Sequence, residues 1–167
     1  MSILYLKLHP RWLAYLIDDD YGVLPLTRDI MESGDRLRKE LLKNPNITEV
    51  VFEKPFLQLL TRQVDADERR RLAQETIRLQ RVFAILTFEF YNRGIKVEHV
   101  SALTARQAIY GKNELNKDVQ LSDTRVLLPK SRILSPLQQL CLHDVLVLRR
   151  YKNDENKQDK KQENITI

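Results

Sequence analysis

Glu53 closes the run Thr48-Glu49-Val50-Val51-Phe52-Glu53-Lys54-Pro55, in which apolar residues of strand character lead straight into a carboxylate. A charge at the end of a buried strand is costly unless a cation meets it. A second carboxylate comes from far along the chain. Asp144 interrupts the apolar stripe Leu137, Leu140, Cys141 and Leu148 at the helical position seven on from Leu137, so it is expected to face inward with that stripe. Two inward carboxylates from distant segments define a candidate site, and whether a third joins them decides what it can do.

The elements that must position these residues follow from periodicity and punctuation. Ser2 to Leu8 and Trp12 to Ile17 read as short apolar strands separated by the turn His9-Pro10-Arg11. The acidic run Asp18-Asp19-Asp20-Tyr21-Gly22 turns into a third strand, Val23 to Leu26, and is read as solvated hairpin residues. Ile30 to Leu42 predicts a helix closed by Asn44-Pro45, and Glu49 to Phe52 a buried strand. Asp65 to Asn92 is the longest helical signal, stopped at Gly94, with its second half, Val82 to Tyr91, expected to be mostly buried. Ile95 to Val100 returns as a strand, Thr104 caps a short helix ending at Tyr110, and Ser135-Pro136 opens the last helix. No internal repeat is visible. Strands joined through crossover helices imply an α/β fold: a mixed sheet with a parallel half, covered on both faces. In such sheets sites gather beyond the carboxyl ends of the strands, where Glu53 falls.

A chain of 167 residues suits one domain with a core large enough to need no staples. The single cysteine, Cys141, allows neither an intramolecular disulfide nor a zinc cluster, which points to a reducing intracellular compartment. The N-terminus lacks a basic segment with a small-residue cleavage site, and no apolar run approaches the ~20 residues of a membrane span. A net charge of +5 suits a polyanion partner without requiring one. Residues Arg149 to Glu163 hold six Lys/Arg and four Asp/Glu among Asn and Gln, so the last helix is expected to fray there. That division gives a folded domain over 1–150 and a charged, disordered tail over 151–167.

The order of elements, the glutamate closing the fourth strand, the long helix after it, and the segment Thr104-Ala105-Arg106-Gln107-Ala108-Ile109-Tyr110-Gly111-Lys112-Asn113-Glu114-Leu115-Asn116-Lys117 resemble the RuvC-type Holliday junction resolvases of the RNase H-like superfamily. The resemblance covers most of residues 1–150. It implies an RNase H-like mixed five-stranded sheet, three strands antiparallel and the others parallel, with helices on both faces. In that family a basic residue opens the last segment, a glycine follows and a lysine lies beyond. Arg106, Gly111 and Lys117 occupy those places. Family members are expected to hold two magnesium ions between acidic residues, one activating water and the other steadying the leaving oxygen of a phosphodiester.

The resemblance carries over Glu53 and Asp144 as ligand positions. The family's closing helix bears two aspartates three apart, and Cys141-Leu142-His143-Asp144 keeps only the second. Where the family has an aspartate in the first strand, Ile3-Leu4-Tyr5-Leu6-Lys7-Leu8 places Lys7, or His9 if the register shifts by two. An ammonium there inverts the local charge and repels a divalent ion. The expectation is that Lys7 pairs with Glu53 and Asp144 and relieves their mutual repulsion.

The resulting reading is a dimeric protein recognising branched DNA of the Holliday junction type, its nuclease activity lost or weakened. Nucleic-acid contacts are expected from Lys54, Arg106, Lys112 and Lys117, with Tyr110 against a base or sugar. One alternative is an active magnesium-dependent resolvase with an altered ligand set, Glu53 and Asp144 holding the metal. Another is an interaction protein that has lost nucleic acid and docks through the long helix by Phe83, Phe88, Phe90 and Tyr91. The plainer account of each residue is also open: Lys7 snorkelling to solvent, Glu53 capping a turn, Asp144 exposed, His143 structural, and the basic residues an ordinary solvated surface.

Overall fold

Every second residue from Leu4 to Leu8 is a leucine, and this period of two sends Leu4, Leu6 and Leu8 to one face of a strand while Ile3, Tyr5 and Lys7 take the other. In the computed structural model, which describes residues 1–44, 46–55, 64–111 and 116–163, this strand, β1 (Ser2–Leu8), is the centre of a five-stranded sheet. β2 (Trp12–Ile17) and β3 (Asp20–Pro25) follow it as antiparallel hairpins. β4 (Ile47–Glu53) and β5 (Lys96–Val100) pair in parallel on its other side, giving the order β3-β2-β1-β4-β5. The mixed sheet is the one expected from the sequence. β3 starts earlier than expected, at Asp20, because the hairpin turns on Asp18-Asp19 alone. Asp18 takes φ +49°, a left-handed conformation that a short aspartate tolerates.

Each face of the sheet has its own core. Leu4, Leu6, Leu8, Leu13, Val50 and Phe52 pack against α1 (Ile30–Leu41) and α2 (Ala66–Asn92). Tyr5, Ala14, Leu16 and Val51 pack against α3 (Ala102–Tyr110) and α5 (Pro136–Glu163). α4 (Lys117–Leu127) and a short 3-10 helix, Pro129–Ile133, lead into α5. Residues Cys141 to Leu148 of α5 are buried on all sides, so this helix is clamped between the sheet and the helices outside it.

Helix ends follow the capping residues. Asp29 and Asp65 accept from the N–H groups of Glu32 and Glu68, both at 2.8 Å, and Ser135 caps α5 by accepting from Gln138 N–H while the Gln138 side chain accepts from Ser135 N–H. α1 ends at Leu41, ahead of the expected stop, and Pro45 lies outside the described residues. α3 is capped by Ser101, not Thr104: the Ser101 hydroxyl accepts from Thr104 N–H at 3.0 Å and the helix starts at Ala102. In the second half of α2 only the stripe Val82, Leu86 and Phe90 is buried, since the helix rests on one sheet face. Phe88 and Tyr91 are exposed.

α5 does not fray at Arg149. It runs on through Glu163, because Lys152 is buried against the sheet and helix-favouring Lys, Gln and Glu residues continue the turns, with Tyr151 donating to Glu155 at 2.6 Å. Leu137, expected inward with Asp144, is exposed at the start of the helix. Among the described residues no helix is long and apolar enough to cross a membrane.

Candidate functional site: a buried charge cluster

The sheet register carries β1 and β4 side by side with Leu6 opposite Phe52, so the next residues, Lys7 and Glu53, both turn to the α5 face at the carboxyl ends of their strands. Asp144, from the buried stretch of α5, meets them there. Lys7 Nζ lies 2.5 Å from Glu53 Oε1 and 2.8 Å from Asp144 Oδ2, and the exposure of the three side chains is 18%, 8% and 9%. A second cation completes the group. Arg106 on α3 donates from its guanidinium to Asp144 Oδ1 at 2.5 Å. Two carboxylates and two cations therefore balance in a largely buried space, with the carboxylates below 10% exposed and Lys7 and Arg106 at 18% and 25%, which is the condition for burying charge at all.

The protonation directions follow from that arrangement. Burial alone disfavours the Lys7 ammonium, but Asp144 and Glu53 outweigh it and raise its pKa. Burial likewise pushes Asp144 up, and Lys7 with Arg106 reverses this and holds its carboxyl below the usual range. Glu53 shares a single ammonium and faces the Asp144 charge, so burial prevails and its pKa is raised. On acidification Glu53 is the carboxylate of the pair that takes up a proton first. Arg106 Nε and His143 Nδ1 are buried without a protein partner among the described residues.

His9, the alternative first-strand residue, lies outside the cluster, since the register sets Lys7 beside Glu53. Its ring stacks on Trp12 with centroids 4.1 Å apart. Among the described residues no group of three His, Cys, Asp or Glu side chains comes together as a metal cage.

No family model and no curated protein matches this sequence. Solved structures do. RuvC of Thermus thermophilus superposes with a TM-score of 0.61 at 12% identity, covering 93% of this chain and 97% of that one. T. thermophilus RuvC in complex with a Holliday junction substrate gives 0.61 at 14%, covering 93% and 96%. The fold is RuvC-like.

Within this RuvC-like fold the other residues singled out in the sequence are scattered. Lys54 is exposed directly after Glu53. Arg106, expected to reach outward to a phosphate, instead turns inward to Asp144, because a desolvated carboxylate attracts it more strongly than water does. Tyr110 sits one turn beyond Arg106, half-buried, its hydroxyl 3.3 Å from His143 Nε2 and its ring under the Arg150 guanidinium. Lys117 is exposed at the first turn of α4, and Lys112 lies outside the described residues. Lys152, in the charged stretch expected to fray, bridges Glu49 at 3.0 Å and Glu98 at 2.5 Å on the same sheet face. The signal for it was available: Glu49 and Glu98 alternate in phase with Glu53 and Val100.

Proposed function

We propose that this chain binds branched DNA of the four-way junction type and does not hydrolyse it by a two-metal mechanism. The observation that carries the proposal is the Lys7 ammonium, within 2.8 Å of both remaining acids. The residues present do not fit a pair of divalent ions: two carboxylates already neutralised by Lys7 and Arg106 offer no net negative charge, and the ammonium stands between them. Lys7 supplies there, permanently, the positive charge that a bound ion would otherwise bring. Junction binding is supported by the RuvC-like fold, by the solved complex of T. thermophilus RuvC with a Holliday junction substrate, and by exposed Lys54 and Lys117. Phosphate contacts need only such cations and backbone amides.

Two-fold junctions call for two-fold proteins, and we assign the homodimer surface to α2. Phe88 and Tyr91 are exposed there and line a shallow apolar groove with Phe83, Ala84 and Thr87.

The deciding experiment measures binding to a synthetic four-way junction in EDTA at increasing salt, followed by incubation with magnesium or manganese. Binding without metal that weakens as salt rises, and no strand scission on adding metal, is the expected result. Scission abolished by Glu53→Gln overturns the loss of catalysis and favours an active enzyme. No binding even at low salt favours a protein interaction module on this fold. Manganese found against Glu53 and Asp144 in soaked crystals removes Lys7 from its role.

A further inference from the structure

His9 follows Lys7 by two residues and caps the end of β1 in a conformation that is held from several sides. The β1–β2 turn is closed by paired backbone bonds, His9 N–H to Trp12 O at 2.9 Å and Trp12 N–H to His9 O at 3.3 Å. The Arg78 guanidinium, from α2, donates to Pro10 O at 3.2 Å and also to Thr27 O, and so fastens the turn to the helix. His9 Nδ1 accepts from Arg11 N–H at 3.2 Å, which fixes both the ring orientation and the tautomer that carries its proton on Nε2. Trp12 stacks on the imidazole with an interplanar angle of 14° and packs with the α5-side core behind it.

In front of His9 is a cleft of about 140 Å³ between the turn and α2. Lys7 and Glu53 open into it from the charge cluster, and Leu72, Glu75, Thr76 and Leu79 line it from α2, with the Glu75 carboxylate paired to Arg71 at 3.0 Å. That volume is well below the ~300 Å³ at which small-molecule sites begin, so the cleft suits a single flat ring and not a whole nucleotide. The aromatic surface of His9 with the apolar side chains of Leu72 and Leu79 offers a base face contact that offsets its loss of water, and Lys7 adds a cation beside it.

We propose that the His9–Trp12 stack is a platform for one unstacked nucleobase at the centre of a branched DNA, the base entering the cleft beside Lys7. The inference rests on the DNA-binding reading above and deepens it. The platform is rigid before binding, so little ordering of the protein opposes the contact. Recognition is of an exposed base face and not of its hydrogen-bonding edge, which selects for DNA with an open branch point over continuous duplex and is tolerant of sequence.

The test is a thermodynamic cycle between protein and DNA, measured by equilibrium binding of four-way junctions in EDTA. His9→Ala is expected to weaken junction binding about 5- to 150-fold, the range of one base–aromatic stack, with duplex affinity unchanged. His9→Phe, which keeps an aromatic face on Trp12, is expected to restore it. Junctions carrying one abasic residue, placed in turn at each base flanking the crossover, are expected to reproduce the loss at one position with the natural protein and to add nothing with His9→Ala. Melting temperatures of both variants report whether the turn has stayed intact. Unchanged junction affinity in His9→Ala, or losses from the variant and the abasic position that simply multiply, overturns the platform alone. Failure of the natural protein to bind junctions overturns the platform together with the DNA-binding reading.

Discussion

α5 and β4 hold two clusters of four charges on the same face of the sheet, and the two behave differently. At the carboxyl end of β4, Glu53 and α5 Asp144 enclose Lys7, with Arg106 outside. At the amino end, Glu49 and β5 Glu98 enclose α5 Lys152, with Lys96 outside. Both count two cations and two anions. In the lower cluster, however, Lys96 is 68% exposed and the group borders water, whereas no member of the upper cluster is more than 25% exposed. The lower one ties a helix to a sheet, which any pairing of opposite charges accomplishes. The upper one sits at the carboxyl strand ends, where α/β sheets place their sites, and keeps both its carboxylates below 10% exposed.

The two clusters differ most at their central lysines, Lys7 and Lys152. Lys7→Met leaves Glu53 with no cation in contact while Asp144 keeps Arg106, and is expected to destabilise the fold by about 3–5 kcal/mol, a fall in Tm of roughly 6–20 °C. Adding Glu53→Gln removes the orphaned charge, so the double variant is expected to regain much of the loss in a thermal or urea melt. Lys7→Asp is expected to cost at least as much in EDTA, since three acids then crowd one space. Magnesium at a hundred times its dissociation constant is expected to return about 2.7 kcal/mol to that variant and to leave the natural protein's Tm unmoved. Equal metal response in both proteins defeats the substitution of ammonium for ion.

Lys152→Met removes the matching lysine of the lower cluster. Lys96 still faces Glu49 at 3.1 Å and water reaches the cluster, so the expected cost is only about 1–2 kcal/mol. Its larger effect is local: with the anchor gone, amides of α5 beyond Arg150 are expected to exchange hydrogen faster while Cys141 to Leu148 stay protected. Uniform exchange along the helix in both proteins shows that the turns past Arg150 hold without Lys152.

Much of this was legible in the chain because burial imposes simple periods. Leucines two apart fix the faces of β1, and the apolar run before Glu53 and the stripe around Asp144 mark those carboxylates as inward whatever their role. Periodicity does not tell where a basic side chain points. A basic residue beside the candidate site, in the segment that carries the family resemblance, points to a phosphate contact for Arg106, whereas its inward turn depends on Asp144, 38 residues later and invisible to local pattern. Lys152 was hidden by the charge-rich composition around it, which reads as tail until Glu49 and Glu98 are seen beneath it. α4 is illegible for the opposite reason. Its inward residues are Gln120 and Thr124, the latter donating to backbone oxygens, while Val119, Val126 and Leu127 are exposed, so its hydropathy is inverted.

The smallest predicted effect concerns acid. Burial first, then the Lys7 and Arg11 charges, lower the His9 pKa to about 4 from an ordinary value near 6.5. In the unfolded chain the ring protonates as pH falls through 6.5, whereas in the fold it stays neutral until about 4. The unfolded state therefore binds more protons in that window, and stability falls as pH drops across it. Because the ring is half open to solvent, the loss is expected near 1 kcal/mol, a Tm lower by a few degrees at pH 5 than at pH 7. His9→Phe is expected to flatten this part of the profile. Glu53 acts in the opposite sense, its raised pKa favouring the folded state as acid is added, so Glu53→Gln is expected to steepen the fall. Opposite changes of slope in the two variants separate the platform from the cluster beside it, and parallel changes show that they titrate as one unit.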